Sequence, residues 1–304
     1  MKLMKIILAG GSGLVGSRLI PLLMAEGHEV VVLTTKKSFA PKSYAQFHWN
    51  PLQKIFPQEA IVGSDVVVNL AGFSVANPWT SSNKSEMISS RIQTTDALVQ
   101  AFHTSAHHVK LWIGASASGF YVHGNEARLE TDPSSDDFLG KLTSAWEICN
   151  QRIGSHAERV VLMRLPVILA KEAGALQKML PLYRMGLGAP VGNGNQMMSW
   201  VHVDDVAHFI LYALHHANVQ GIYNVSAPEA TDNRAFSKLL AQTLKRPHIL
   251  PAVPAWILKM MYGEMSKLVL QGRNLNSHKI LATGFQFTYA SLQSALTNLL
   301  QKKV

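Results

Sequence analysis

One stretch near the N-terminus organises the chain: Lys5-Ile6-Ile7-Leu8-Ala9-Gly10-Gly11-Ser12-Gly13-Leu14-Val15-Gly16. A short apolar run leads directly into a cluster of glycines, and a helical pattern then runs from Leu14 to Glu26. The glycines can be read as Gly10-x-x-Gly13-x-x-Gly16 or as Gly11-x-Gly13-x-x-Gly16. This order of strand, turn and helix predicts a dinucleotide-binding unit.

Each glycine of this turn has a separate predicted role. Gly10 and Gly11 let the chain leave the strand sharply, and Gly13 lets the backbone approach a pyrophosphate with no side chain in the way. Gly16 lets the helix pack close to the strand. The free N–H groups at the helix start then face the phosphates, with the positive end of the helix dipole behind them. We therefore expect contacts with the phosphates from Gly10, Gly11, Ser12, Gly13, Leu14, Val15 and Gly16.

The end of the second strand, predicted from Glu29 to Leu33, usually selects the cofactor. An acid there binds the ribose 2′-hydroxyl of NAD, whereas basic residues suit the 2′-phosphate of NADP. The chain has no acid at this point and continues Thr34-Thr35-Lys36-Lys37, which offers hydroxyl donors and positive charge. These residues favour NADP over NAD, with a solvated lysine pair on a loop as the alternative interpretation.

The composition excludes several classes of protein. The 304 residues are 47% hydrophobic and 15% charged, which is typical of a globular protein and not of a disordered one. The formal net charge is +9, but no basic stripe interleaved with aromatic residues occurs, so we expect no nucleic-acid partner. The single cysteine, Cys149, can form neither an internal disulfide nor a zinc site, and the histidines are dispersed, so no metal site is expected.

The sequence shows no sign of secretion or membrane insertion. The apolar run at the N-terminus is interrupted by glycine too early for a signal peptide, and no run of about 18 apolar residues occurs. We therefore expect a cytoplasmic location and no membrane partner. The sequence leaves open whether the protein is a monomer or a homodimer.

Strands and helices alternate through the first half of the chain. Apolar, β-branched runs predict further strands at 66–70, 110–115 and 159–164, and helical patterns cover 81–105 and 138–155. This alternation predicts an α/β fold with a Rossmann-type, doubly wound parallel sheet.

The composition changes after Pro166, where glycine and proline become frequent and helical patches follow. We expect a Rossmann domain over 1–230, with insertions after about residue 166 that belong to the substrate lobe. A smaller, mostly helical C-terminal lobe over 231–304 is expected on the substrate side.

Residues that follow strands are candidates for ligand contact, because open α/β sheets bind ligands at the carboxyl ends of their strands. Ala71 and Gly72 are small and could let the backbone pass beside a cofactor. Ser116 and Tyr121 follow the strand at 110–115 and could polarise a substrate carbonyl or hydroxyl, although serines at strand ends also form caps and turns. Arg91 either points toward the cofactor or lies on the surface.

These motifs resemble those of the YfcH-like epimerase-family proteins, an atypical branch of the extended short-chain dehydrogenases/reductases. The resemblance covers nearly the whole chain. Its most diagnostic block is Gly186-Leu187-Gly188-Ala189-Pro190-Val191-Gly192-Asn193-Gly194 followed by Ser199-Trp200-Val201-His202-Val203-Asp204-Asp205. The other matching motifs are the glycine turn, Asn69-Leu70-Ala71-Gly72, Ser90-Arg91, Ser116-Ala117-Ser118-Gly119-Phe120-Tyr121 and Trp146-Glu147.

The resemblance implies that a Rossmann domain binds NADP and that the smaller C-terminal lobe binds a substrate. The family's basic residue after the second strand corresponds to Thr35 here, where Lys36 could substitute for it. The cofactor contacts that the resemblance implies come from Thr34, Thr35, Leu70, Ala71, Glu86, Arg91 and Val167.

The Tyr-x-x-x-Lys motif of typical short-chain dehydrogenases is absent. In that motif the lysine lowers the pKa of the tyrosine, which passes a proton while hydride moves. If Glu147 is aligned four residues past the lysine site, Leu139 takes the tyrosine position and Thr143 the lysine position. Two hypotheses follow. The protein is an NADP-dependent oxidoreductase or epimerase-like enzyme, with Ser116 and Tyr121 assisting, or it binds NADP(H) as a sensor or scaffold without turnover.

Overall fold

The computed structural model of the protein describes residues 3–53 and 55–301, which form eleven strands, eleven α-helices and four short 3₁₀ helices. The strands are β1 (Lys5–Ala9), β2 (Glu29–Thr34), β3 (Ala45–His48), β4 (Val66–Asn69), β5 (Val109–Ala117), β6 (Ala127–Arg128), β7 (Ala157–Leu165), β8 (Val167–Leu169), β9 (Trp200–His202), β10 (Gly221–Asn224) and β11 (Asn274–Leu275). The helices are α1 (Leu14–Ala25), α2 (Gln58–Ile61), α3 (Ser81–Ser105), α4 (Phe138–Gln151), α5 (Gly174–Arg184), α6 (Val203–His215), α7 (Asn233–Thr243), α8 (Ala255–Tyr262), α9 (Lys267–Leu270), α10 (His278–Ala282) and α11 (Leu292–Gln301). None of these helices is both long enough and apolar enough to cross a membrane.

Seven strands form one parallel sheet in the order β10-β7-β5-β4-β1-β2-β3. The register places Ile7 of β1 between Val31 of β2 and Val67 of β4. The chain first adds strands on one side of β1 and then, from β4 onward, on the other side. This topology confirms the predicted α/β fold with a Rossmann-type, doubly wound parallel sheet.

Alternate residues of the strands face opposite sides of the sheet. Ile6 and Leu8 of β1 belong to a core that contains α1 and α6, whereas Ile7 and Ala9 belong to a core that contains α3. A parallel sheet covered on both faces needs strands that are apolar at nearly every position, which explains the continuous runs in the sequence. Each fully buried Val, Leu or Ile side chain in these cores contributes about 1.5–3 kcal/mol.

The strand predicted over 110–115 is longer in the structure. β5 continues to Ala117 because its ladder with β7 extends far enough to place Ser116 opposite Arg164. Ser116 therefore lies inside a buried strand and not in the loop after it. Apolar patterning cannot show this extension, because the partner strand supplies the hydrogen bonds that continue it.

The C-terminal part of the chain is smaller and mostly helical, as predicted. One core joins α5, which follows the insertion point near residue 166, with α7 and α11. Asp205 of α6 is fully buried, and its carboxylate accepts hydrogen bonds from the backbone N–H groups of Thr288 (2.8 Å) and Tyr289 (3.0 Å). These bonds attach the C-terminal segment to a helix that packs on the sheet. The exact division at residue 230 stays a prediction.

Candidate functional site

A cleft of about 1050 Å³ opens at the carboxyl ends of the strands. It extends beside β1, where strands are added in opposite directions, and open α/β sheets bind their ligands at such a switch point. Its walls come from three segments: the glycine turn with the start of α1, the region from the end of β2 to residue 52, and residues 71–73 with part of α3. The cleft therefore occupies the position expected for a nucleotide cofactor.

The glycine turn is compact because two of its positions have no room for a side chain. Gly10 has a positive φ of +85°, and a Cβ there would lie 2.8 Å from the backbone carbonyl of Leu70. A Cβ on Gly16 would lie 2.6 Å from the carbonyl oxygen of Gly10. Gly13 is exposed at the start of α1, and its N–H donates to Gly10 O at 2.9 Å. The first turn of the helix can thus approach a ligand closely.

The opposite end of the cleft is formed by the chain after β2. Thr34 Oγ1 accepts a hydrogen bond from the backbone N–H of Lys36 (3.2 Å), so the hydroxyl proton of Thr34 is available to a ligand. Thr35 and Lys36 are exposed and line the cleft, and Lys42 from the following loop lines it too. Among the residues that line the cleft, the one acid is Glu86. This end of the cleft is consequently basic.

Arg91 lies directly against the backbone of Gly72. A Cβ on Gly72 would be 3.1 Å from Arg91 Cζ, and Arg91 Nη1 donates to the carbonyls of Phe73 (2.9 Å) and Met87 (3.1 Å). The guanidinium also lies 5.0 Å from the ring centroid of Trp146. Burial lowers the pKa of Arg91 to about 10, so the side chain stays charged at neutral pH. No acidic side chain in the described ranges pairs with it.

Nine residues of the predicted cofactor set line the cleft: Gly10, Gly11, Ser12, Thr34, Thr35, Lys36, Ala71, Gly72 and Glu86. Seven others of that set do not line it: Gly13, Leu14, Val15, Gly16, Leu70, Arg91 and Val167. Arg91 is the neighbour of Gly72 described above, whereas Val167 packs against the core around α5. Contacts between any of these residues and a cofactor stay predictions.

Ser116, a candidate catalytic residue, belongs to a buried network around an ion pair. Ser116 Oγ donates to Glu147 Oε1 at 2.5 Å, and Arg164 donates to both carboxylate oxygens of Glu147, at 2.8 and 2.9 Å. Burial alone would lower the pKa of Arg164, but hydrogen bonds to Glu147 and its charge raise the pKa above the ordinary value. Arg164 is therefore charged at neutral pH. Because the Ser116 proton points at a carboxylate, its oxygen is left as a hydrogen-bond acceptor.

Tyr121, the second candidate, is fully buried in the same network. Its hydroxyl donates to Asn224 Oδ1 (2.7 Å) and accepts from Arg164 Nη1 (2.7 Å). Burial raises the pKa of Tyr121 to about 12, although the nearby charge of Arg164 opposes the shift. The phenol thus stays protonated at neutral pH. Neither Ser116 nor Tyr121 lines the cleft.

We expect Tyr121→Phe to lower the free energy of unfolding by about 1–3 kcal/mol, because Arg164 and Asn224 each lose a buried partner. The affinity for NADPH, measured by titration of its fluorescence, should change by less than about threefold, which is under 1 kcal/mol. Tyr262→Phe is a control, since Tyr262 is 46% exposed, lies outside the cleft, and its hydroxyl makes no hydrogen bond to a described residue. A large loss of NADPH affinity at full stability would place the Tyr121 hydroxyl on the cofactor instead.

The two positions aligned with the missing motif hold side chains that cannot transfer protons. Leu139 is buried against Gly119, where a Cβ would lie 3.0 Å from Leu139 Cβ. Thr143 is buried as well, and its hydroxyl donates to the Leu139 carbonyl at 2.7 Å. The structure therefore offers no tyrosine–lysine pair at this place.

A small second pocket lies beside Leu139, between the start of α4 and the C-terminal lobe. Arg273 forms part of its wall and is buried, with Nε donating to the Tyr121 carbonyl (2.6 Å) and Nη2 to Asp137 Oδ2 (3.4 Å). Burial lowers the pKa of Arg273, while the charge of Asp137 opposes this. No other side chain in the described part of the chain accepts from its guanidinium. Arg273 therefore keeps donor capacity at the wall of a pocket of about 10 Å³, which has room for about one water molecule.

One group of three potential metal ligands, Glu26, His28 and His215, lies within the described ranges. It sits beside the start of β2, at the opposite end of the sheet from the cleft. Glu26 Oε2 is 3.2 Å from His28 Nε2 and 2.8 Å from His215 Nε2. His28 Nδ1 accepts the N–H of Met4, which leaves the proton of the neutral ring on Nε2, facing Glu26. The three side chains therefore satisfy one another by hydrogen bonds.

Sequence reasoning assigned no role to several residues of these sites. Lys42 lies in a loop without periodic structure, and only its charge could have indicated it. Glu147 and Arg164 are on a helix and a strand, and their pairing depends on the register of the folded sheet. Arg273 is far along the chain from Asp137, so no local pattern connects them. These contacts become visible only once the tertiary structure is known.

Comparison with known proteins is consistent with this geometry. The sequence profile of the NAD dependent epimerase/dehydratase family matches residues 6–226, and that of DUF1731, a domain of unknown function, matches residues 253–299. Epimerase family protein YfhF of Bacillus subtilis is 35% identical over 300 residues, which covers 98% of each chain.

Many solved structures share the fold, including the following two. The crystal structure of human epimerase family protein SDR39U1 with NADPH matches with a TM-score of 0.89 at 29% identity, covering 99% of this chain and 100% of that one. UDP-glucose 4-epimerase of Thermus thermophilus, in complex with NAD, matches with a TM-score of 0.77 at 20% identity, covering 99% and 100%, which shows the fold alone. The resemblance inferred from the sequence is thus confirmed: the chain belongs to the NAD dependent epimerase/dehydratase family, among the epimerase family proteins related to YfhF and SDR39U1.

Proposed function

We propose that the protein binds NADP(H) in the cleft and acts as an NADP-dependent oxidoreductase or epimerase-like enzyme on a small molecule. The observation that carries this proposal is the basic end of the cleft, where Thr34, Thr35 and Lys36 stand in place of an acid. An acid there would bind a ribose 2′-hydroxyl, whereas hydroxyl donors and lysines suit a 2′-phosphate. The relative SDR39U1, crystallised with NADPH, supports the same cofactor. NAD is the less favoured alternative.

Arg91 supports the binding of an anionic cofactor. A partly buried guanidinium without an acidic partner is costly, and it becomes favourable when a ligand supplies negative charge. Arg91 lies against Gly72, next to the segment that contacts Gly10, so its charge acts near the glycine turn. We assign it to the phosphates of the cofactor, together with the N–H groups at the start of α1.

The substrate is assigned to the place of the pocket between α4 and the C-terminal lobe, which has to widen from its present volume of about 10 Å³ to admit it. Arg273 there offers free N–H donors, so a carboxylate or phosphate group is the chemistry that it recognises. The pocket adjoins Leu139, at the place where related dehydrogenases hold their tyrosine. When bound, the nicotinamide supplies hydride transfer. Ser116 Oγ, whose proton is donated to Glu147, accepts a hydrogen bond from the substrate. Tyr121 keeps Arg164 in position through the hydrogen bond between them.

Binding of NADP(H) without turnover, as a sensor or scaffold, is the second candidate. The observation that favours it is that the hydroxyl protons of both candidate catalytic residues point at protein groups: Ser116 donates to Glu147, and Tyr121 donates to Asn224. Neither can polarise a substrate carbonyl in this arrangement. Loss of a general acid or base typically costs about 10²–10⁴-fold in rate.

The remaining parts of the proposal concern organisation and surroundings. We propose that residues 1–230 form the cofactor domain and residues 231–304 the substrate-side lobe. A monomer or homodimer in the cytoplasm, without a nucleic-acid partner, is part of the same proposal. The buried, unpaired thiol of Cys149 suits a reducing compartment.

Thermal unfolding with NADPH, NADP, NADH and NAD tests the cofactor. A ligand at about 100 times its Kd should stabilise the fold by about 2.7 kcal/mol. We expect this shift with the two phosphorylated cofactors. Lys36→Ala should weaken NADPH about tenfold or more and leave NADH nearly unchanged, because one charged hydrogen bond is lost. Lys37→Ala is a matched control, since Lys37 does not line the cleft. Stabilisation by NADH alone would overturn the assignment of Lys36.

Turnover separates the two candidate functions. The protein is mixed with stoichiometric NADPH and a panel of small carboxylates and phosphates, and the absorbance of the reduced nicotinamide is followed. Oxidation that Arg273→Met abolishes, while NADPH affinity is kept, supports the enzyme. Binding of NADPH without oxidation by any member of a broad panel favours the sensor or scaffold.

A further inference from the structure

Helix α8 is unusually apolar for a helix on the surface. Its sequence is Ala-Trp-Ile-Leu-Lys-Met-Met-Tyr, yet Leu258 is its one fully buried side chain. Trp256 is 65% exposed and Met260 is 74% exposed, four residues apart and so on the same side of the helix. A surface helix normally turns its apolar stripe toward the core. Here that stripe is left uncovered.

The exposed side chains of α8 continue into a neighbouring segment. A Cβ on Gly186, just after α5, would lie 3.2 Å from Pro247, and Val191 pairs with Val253. The chain just after α5 thus touches the segment that leads into α8, and residues 182–187 and 249–269 hold ten of the twenty large apolar side chains that are exposed in the described part of the chain. We call these ten the apolar face: Leu182, Met185, Leu187, Ile249, Leu250, Trp256, Met260, Met261, Tyr262 and Val269.

The charges around the apolar face are mostly positive. Arg184, Lys245, Arg246 and Lys259 are exposed, and none of the four forms an ion pair with a described residue. The single acid in residues 174–192 and 245–270 is Glu264. Its carboxylate already binds Lys84 (2.5 Å) and Lys267 (3.7 Å). The rim of the apolar face is consequently basic and uncompensated.

We propose that the apolar face binds an anionic lipid surface. Protruding apolar side chains can enter the boundary between headgroups and acyl chains, where tryptophan and tyrosine are favoured, while lysine and arginine pair with the headgroups. A second copy of the chain would place like charges opposite each other across a self-complementary contact. This contact lies on the surface and needs no membrane-spanning helix, so it modifies the expectation of no membrane partner. It is independent of the proposed function.

Sedimentation with vesicles tests this proposal on the full-length protein. We expect binding to vesicles of phosphatidylglycerol and phosphatidylcholine, and little binding to phosphatidylcholine alone. Replacing one rim cation, as in Lys259→Gln or Arg246→Gln, should lower the partition coefficient about fivefold. Trp256→Ala should lower it about tenfold or more, because a large interfacial side chain is removed. Val62→Ala is the matched control, since Val62 is 71% exposed and lies outside the apolar face.

Three results would overturn the proposal. The wild-type protein could fail to sediment with the anionic vesicles, or Trp256→Ala could bind them as well as Val62→Ala does. In the third, sedimentation velocity without lipid would show a dimer that Trp256→Ala dissociates, which would assign the apolar face to a second copy. Thermal unfolding of each variant shows that a loss of binding does not reflect a loss of folding.

Discussion

Glu147→Ala should lower the free energy of unfolding by about 3–5 kcal/mol, a large share of the 5–15 kcal/mol that holds a typical domain folded. Glu147 accepts two hydrogen bonds from Arg164 and one from Ser116, all in a buried place. Without the carboxylate, the Arg164 guanidinium remains charged and has lost its counterion. Urea-induced unfolding, followed by circular dichroism, measures the change.

A matched control for this prediction is the pair of exposed Arg152 and half-buried Asp96, whose closest atoms are 3.6 Å apart. Asp96→Ala also removes the acidic partner of an arginine, but water solvates the guanidinium of Arg152 that is left. The free energy of unfolding should therefore fall by less than about 1 kcal/mol. Adding Arg164→Leu to Glu147→Ala should recover part of the loss, because the unpaired charge is removed as well. Equal costs for Glu147→Ala and Asp96→Ala would contradict the buried ion pair.

The contrast between the glycine turn and this ion pair shows what the sequence can predict. Gly10 to Gly16 act within one strand, one turn and one helix, so their spacing alone indicates the structure that they form. The same is true of the apolar runs and helical patterns, whose alternation along the chain predicted a doubly wound parallel sheet. These features depend on residues that are close together in the sequence, so the spacing of glycines and apolar residues predicts them directly.

Ser116, Arg164 and Arg273 show where sequence reasoning stops. Ser116 was identified as a candidate from its place near a strand end, but its proton is directed by Glu147, which is 31 residues away. Arg273 meets Asp137 across 136 residues. Partners of this kind are set by sheet register and by the packing of the C-terminal lobe. A single sequence holds no local signal for either of them.

Gly16→Ala and Gly13→Ala should both weaken NADPH binding about 100-fold, but only the first should destabilise the fold. A methyl group on Gly16 would lie within 2.8 Å of three backbone atoms of Gly10 and Gly11, which cannot move independently of β1. We expect a loss of about 1–3 kcal/mol in the free energy of unfolding from this overpacking. The displaced turn would also lose several charged hydrogen bonds to the phosphates, which accounts for the loss of affinity.

Gly13→Ala separates packing from cofactor contact. Gly13 is exposed, and a Cβ there would touch one atom, Gly10 O, at 3.1 Å. The free energy of unfolding of Gly13→Ala should therefore stay within about 1 kcal/mol of the wild-type value, because Gly13 is the N-cap residue of α1 and alanine is only a somewhat poorer N-cap than glycine. The methyl group would instead occupy the space through which a pyrophosphate approaches the backbone. For both variants, isothermal titration calorimetry measures the affinity for NADPH, and urea-induced unfolding measures the free energy of unfolding. Unchanged NADPH affinity in Gly13→Ala would show that the pyrophosphate does not bind at the start of α1, and it would contradict the proposed cofactor site.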